Sequence, residues 1–130
     1  MDRETRAAEA VRKKSLCGYN CAQAVVSALA DQTGLPEETL VRAAAGFGAG
    51  MGTTEATCGA LIGAGIAAGL AAGKTGATAY TRQILQRFRT LCGATACRDL
   101  KAVTNGKPLC SCADCVKNAV LAYCETFGIE

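Results

Sequence analysis

The sequence predicts an all-α fold, a small helical bundle of about five to six helices with a glycine-rich loop. Three observations carry this. Apolar residues recur with a helical period in several segments, caps and stops separate those segments, and no stretch alternates apolar and polar residues over the length of a strand. At 130 residues the chain is expected to form one unit, a single cysteine-rich helical domain over residues 1–130.

The elements follow in order. Arg3–Leu16 is charged, with apolar residues on a helical period, and reads as a surface helix. Cys17-Gly18-Tyr19-Asn20 interrupts it, and Asn20 is a good N-cap for a second helix from Cys21 to about Gln32. Gly34 stops that helix. Leu35-Pro36-Glu37-Glu38 restarts one, with proline in the first turn and carboxylates at the positive end, running to about Ala45. The glycine-rich loop Gly46-Phe47-Gly48-Ala49-Gly50-Met51-Gly52 follows, and Thr53 or Thr54 is expected to cap the next helix. That helix carries Cys58 in its first turns and ends near Gly73.

Glycine costs roughly 1 kcal/mol against alanine inside a helix. Gly59-xxx-Gly63 and Gly65-xxx-Gly69-xxx-Gly73 therefore predict faces where neighbouring backbones come close. Ala77–Leu91 places Tyr80, Ile84, Leu85 and Phe88 on one side and arginines on the other. Cys97–Val103 is a short helix, Thr104–Leu109 a turn containing Asn105-Gly106 and Pro108, and Ala113 to about Phe127 the last helix.

Composition narrows the function. Half of the residues are hydrophobic but only 5% are aromatic, so alanine and glycine must do much of the packing. The net charge of +3 is mild and spread over Arg12, Lys13, Lys14, Arg82, Arg87 and Arg89, which argues against nucleic acid as a partner. The first residues lack the apolar core of a secretory signal. Ala56–Gly73 is uncharged and about long enough to cross a bilayer, but its only large residues are Leu61, Ile62, Ile66 and Leu70. It reads as a helix buried in a soluble core, so no membrane association and a cytoplasmic location are expected.

Nine cysteines and no histidine matter most. Ser-His and Cys-His catalytic pairs and imidazole ligands are excluded. An odd number of thiols without a signal sequence argues against a secreted disulfide framework. Metal binding, thiol redox chemistry and inert burial remain.

The glycine loop does not read as a phosphate cradle. Gly69-Leu70-Ala71-Ala72-Gly73-Lys74-Thr75 is one residue short of a P-loop and ends a helix. Gly63-x-Gly65-x-x-Ala68 lies within a helical pattern rather than after a strand. Cys58, by contrast, sits near a helix N-terminus, where partial positive charge favours the thiolate. Its plainer reading is a small buried hydrophobe beside a turn. Cys110-Ser111-Cys112-Ala113-Asp114-Cys115 is the densest cluster and matches neither ferredoxin spacing nor a zinc ribbon. Cys17 and Cys21 flank a bend, Cys92 and Cys97 flank a flexible connection, and Cys124 reads as core among Leu121, Tyr123 and Phe127. Glu55 is expected to be a solvated cap, and Arg98 and Asp99 an exposed pair.

The order Asn20-Cys21-Ala22-Gln23-Ala24-Val25, the glycine loop, Cys58-Gly59-Ala60-Leu61-Ile62-Gly63, then Phe88, Cys97-Arg98-Asp99-Leu100 and a late cysteine-rich helix start resembles the C_GCAxxG_C_C family. The resemblance spans nearly the whole chain. It implies a small helical redox-active domain with four signature cysteines that hold an iron–sulfur cluster. By position these are Cys21, Cys58, Cys97 and one of Cys112 or Cys115, with Cys110 crowding the last place. The Gly-Cys-Ala of the family label reads here as Thr57-Cys58-Gly59-Ala60.

The expectation is thus an iron–sulfur site of Cys21, Cys58, Cys97 and Cys112 or Cys115, for electron transfer with a redox partner protein. Assembly as a homo-oligomer is compatible with it. One alternative is metal-free thiol–disulfide chemistry, with Cys58 as nucleophile and Cys21 or Cys97 resolving. Others are a soft-metal binder taking copper or zinc, and a helical interaction domain whose cysteines are core.

Overall fold

The computed structural model describes residues 1–130. Each helix is set by its punctuation. Asp2 caps α1 (Arg3–Cys17), accepting from the Thr5 N–H at 2.7 Å, and Gly18 ends it at φ +70°. Asn20 and Gln23 form a reciprocal capping box, with both bonds at 2.9 Å, that starts α2 (Cys21–Ala28). Leu29 leaves the helical region at φ −104°, ψ 12°, so the continuation is a separate turn, α3 (Ala30–Thr33). Proline precedes α4 (Glu37–Ala44). A 3-10 turn (Ala45–Phe47) and a π-type turn (Gly50–Thr54) make up the glycine-rich loop.

Then come α5 (Gly59–Ala72), α6 (Ala77–Cys92), α7 (Cys97–Lys101) and α8 (Cys112–Phe127). Between the last two, β1 (Val103–Thr104) pairs antiparallel with β2 (Lys107–Pro108). Asn105 and Gly106 both have positive φ, as a two-residue hairpin turn requires.

The helical class stands, but the helices number eight, not five to six. Leu29 divides one expected helix in two, and α7 is the expected short helix from Cys97, ending at Lys101 rather than Val103. The hairpin occupies the expected turn; its strands are too short to alternate visibly. Neither Thr53 nor Thr54 caps α5. Thr54 has φ +64° within the π-type turn, and Cys58 itself is the N-cap. Glu55 is exposed and caps nothing. Arg98 and Asp99 are exposed, but the ion pairs of the chain lie elsewhere.

α2 lies at the centre, packed on α1, α4, α5 and α8, while α8 closes the bundle against α1 and α6. Phe88, Leu29, Ile84 and Tyr123 are fully buried among alanines, and Phe127 stacks on Tyr80 and Tyr123 with ring centroids 4.4 Å apart. One buried charge stands out. Arg6 donates to the Ala28 carbonyl at 3.1 Å and grips Asp31 with both terminal nitrogens.

The paired glycines explain the closest approach. A Cβ on Gly63 would sit 2.5 Å from the Ala22 carbonyl oxygen, and one on Gly59 2.7 Å from that of Phe47. Gly65 and Gly69 face no such wall: Gly65 has only a Thr81 methyl at 3.9 Å, and Gly69 has nothing within 4 Å. The expected contact is thus confined to the first glycine pair, where α5 crosses α2. No helix is long and apolar enough to cross a membrane.

Candidate thiolate centre

The crossing of α5 on α2 brings the start of each helix to one place. Cys21 is the first residue of α2 and Cys58 the N-cap of α5. Cys58 is then fixed against the α7 segment by a two-bond antiparallel bridge. Its N–H donates to the Thr95 carbonyl at 2.8 Å, and the Cys97 N–H donates to the Ala56 carbonyl at 2.9 Å. Gly50, at φ +59°, lets the glycine loop press on the other side of Cys97, where an added Cβ would be 2.7 Å from the Cys97 Cβ. The loop thus serves a cysteine.

The hairpin returns the chain to the same point. The Cys110 N–H donates to the Leu100 carbonyl at 3.1 Å. Ser111 caps α8, accepting from the Asp114 N–H at 3.1 Å, which places Cys112 first in that helix and Cys115 in its first turn. Cys92, the last residue of α6, arrives from the opposite side.

Cys21, Cys58, Cys97, Cys110, Cys112 and Cys115 all line one small cavity, together with Ala49, Gly59, Leu100 and Lys101. Its volume is about 20 Å³, room for about one water molecule. Behind it, the sulfurs of Cys92, Cys110 and Cys115 lie within 4.8 Å of one another, all three buried. Cys58 lines the same cavity as Cys110 and Cys115. Cys17 is exposed and Cys124 is fully buried in the core, as its neighbours suggest.

The electrostatics separate these thiols. Hydrogen bonding from Cys115 pulls Cys58 down to about 7 against the opposing effect of burial, helped by the N–H groups of Ala60 and Leu61. Cys92 lies at the negative end of α6, which disfavours a thiolate. Hydrogen bonds from Cys115, Asn118 and Cys110 nevertheless bring it to about 6, against burial. The Asn118 amide is 3.3 Å from its sulfur. Cys115 holds its proton most tightly, facing Cys58, Cys92 and the Cys110 carbonyl oxygen at 3.7 Å. Burial raises Cys110 and Cys21 to about 12 each, and raises Cys97 against the pull of Lys101.

The donor set is chemically narrow: sulfur only. A tetrahedral ion with metal–sulfur bonds of about 2.3 Å sets its sulfurs about 3.8 Å apart. The triad, with its sulfurs within 4.8 Å of one another, is compact enough to close on such an ion. A four-iron cluster, with each thiolate on a different iron, spreads its ligands further.

All five residues singled out in the sequence, Cys21, Cys58, Cys97, Cys112 and Cys115, reach this cavity. Cys92 carries no signal of its own. It meets Cys110 and Cys115 only because α6 packs along α8, and no local spacing encodes that.

The sequence model of a family described as "Putative redox-active protein (C_GCAxxG_C_C)" matches residues 19–126. No curated protein and no solved structure matches the chain.

Proposed function

The chain belongs to the C_GCAxxG_C_C family, and from that premise we propose that it is an electron-transfer protein centred on one iron ion held by Cys58, Cys92, Cys110 and Cys115. The observation that carries this reading is the buried triad of sulfurs within 4.8 Å of one another, with the Cys58 thiol on the same cavity. Four thiolates select a soft or borderline ion and offer no oxygen or nitrogen. Iron in such a set supplies one-electron chemistry, whereas zinc is redox-silent.

The chain's own groups would hold and tune the site. Cys58 and Cys92 provide thiolates near neutral pH, while Cys110 and Cys115 give up protons as the ion enters. The N-termini of α5 and α8 and the Lys101 ammonium offset the negative charge. The iron–sulfur cluster is the second reading, favoured by the wider ring of Cys21, Cys58, Cys97 and Cys112 or Cys115 around the cavity.

Purification without oxygen, followed by iron and acid-labile sulfide assays and a visible spectrum, tests this. One iron per chain is expected, without sulfide, with a colour that reduction bleaches. The iron should be lost in Cys92→Ala and kept in Cys124→Ala. Iron matched by sulfide would replace the single ion with a cluster. A colourless protein that takes up no iron would overturn the metal reading.

A further inference from the structure

We propose that Cys21 and Cys112 form a reversible disulfide pair on the outer side of the thiolate cavity, exchanging with a low-molecular-weight disulfide. The pair uses none of the four inner sulfurs and stands whether or not iron binds there.

Once Cys58, Cys92, Cys110 and Cys115 are set aside, three cavity thiols remain: Cys21, Cys97 and Cys112. Cys97 is only 3% exposed and is held between Gly50 and Lys101. Cys21 and Cys112 differ from every other cysteine on the cavity in being half-buried, so a solvent-borne reagent can reach them. Both thiols line the same small cavity, of about 20 Å³. Each is the first residue of its helix, and α2 and α8 pack together.

Both helix starts are fixed. The Asn20–Gln23 box holds one and the Ser111 cap holds the other. A bond of about 2.05 Å would join two helix starts that already line one cavity.

The exchange balances as two displacements. One of the two thiolates attacks a sulfur of R–S–S–R, forming a mixed disulfide and releasing RS⁻. The second thiolate then attacks the protein sulfur of that mixed disulfide and releases the second RS⁻. The protein loses two protons and two electrons, and the small disulfide becomes two thiols. The reverse sequence, starting from RS⁻, restores both cysteines.

The test is a titration of the full-length protein with oxidised glutathione, followed by alkylation and tandem mass spectrometry without reduction. Apart from the exposed Cys17, which takes up glutathione, two of the nine thiols should disappear, with one intrachain link joining Cys21 to Cys112. Cys17→Ser should keep the link. Cys21→Ser should leave one glutathione on Cys112, and Cys112→Ser one on Cys21. A link joining any other pair, or alkylation of both Cys21 and Cys112 after Cys17 has become glutathionylated, would overturn the proposal. The wild-type map alone decides between these outcomes, so poor folding of a variant does not obscure it.

Discussion

Gly63→Ala adds one methyl group to the closest helix crossing in the molecule. That methyl carbon would lie 2.5 Å from the Ala22 carbonyl oxygen, 3.1 Å from the Val25 Cβ and 3.2 Å from the Ala22 carbonyl carbon. Two of these atoms are backbone and cannot rotate away. Restoring 3.4 Å to the oxygen means shifting α5 by about 0.9 Å (3.4 − 2.5). Overpacking of this kind costs about 3 kcal/mol at its upper end. The gain in helix propensity returns about 1 kcal/mol. The net loss is about 2 kcal/mol, or roughly 6–10 °C in melting temperature for a chain of this size. The same shift would draw Cys58 away from Cys21. Gly69→Ala is the matched control: with nothing within 4 Å it should gain up to about 1 kcal/mol. Thermal melts followed by circular dichroism at the helical minimum decide the matter. A Gly63→Ala protein that melts at or above the parent temperature would refute the packing argument.

Three further outcomes follow from the same contacts. In metal-free protein, the lowered Cys58 and Cys92 make the unfolded chain bind more protons between about pH 6 and 8.5, so stability should rise with pH across that window. Above about 8.5 the raised Cys21 and Cys110 reverse the sign, so urea midpoints should peak near pH 8 and fall on both sides. Cys115→Ala removes the hydrogen bond that most favours both thiolates, so thiolate absorbance should titrate at higher pH for Cys58 and Cys92 than in the parent. Asp31→Asn should destabilise more than Arg6→Met in chemical denaturation. The first strands a buried guanidinium, whereas the second leaves only an Asp31 carboxylate that is 58% exposed.

The helices were legible where punctuation is local. Asn20 and Gln23, Gly34, Pro36 and Gly128 act on their immediate neighbours, and a reader of the chain can find each one. Leu29 was not legible as a break, because its fully buried side chain suits a helix and no glycine or proline beside it marks a stop. Gly63 and Gly69 look alike in the sequence, and only the position of Ala22 makes one indispensable. The site divides in the same way. Cys21, Cys58, Cys97, Cys112 and Cys115 lie at helix starts, where sequence signals are strong. Cys92 lies at a helix end and enters the triad through the packing of α6 on α8, a long-range contact that no motif records.

X-ray absorption at the iron edge of protein loaded with one equivalent of ferrous iron tests the central claim most directly. About four sulfur neighbours at about 2.3 Å are expected, with no nitrogen or oxygen bonded to the iron and no second iron beyond it. Cys92→Ala should lose that sulfur shell, while Cys124→Ala should keep it unchanged. A first shell of oxygen or nitrogen in the parent protein, or a sulfur shell that survives the loss of Cys92, would contradict the account.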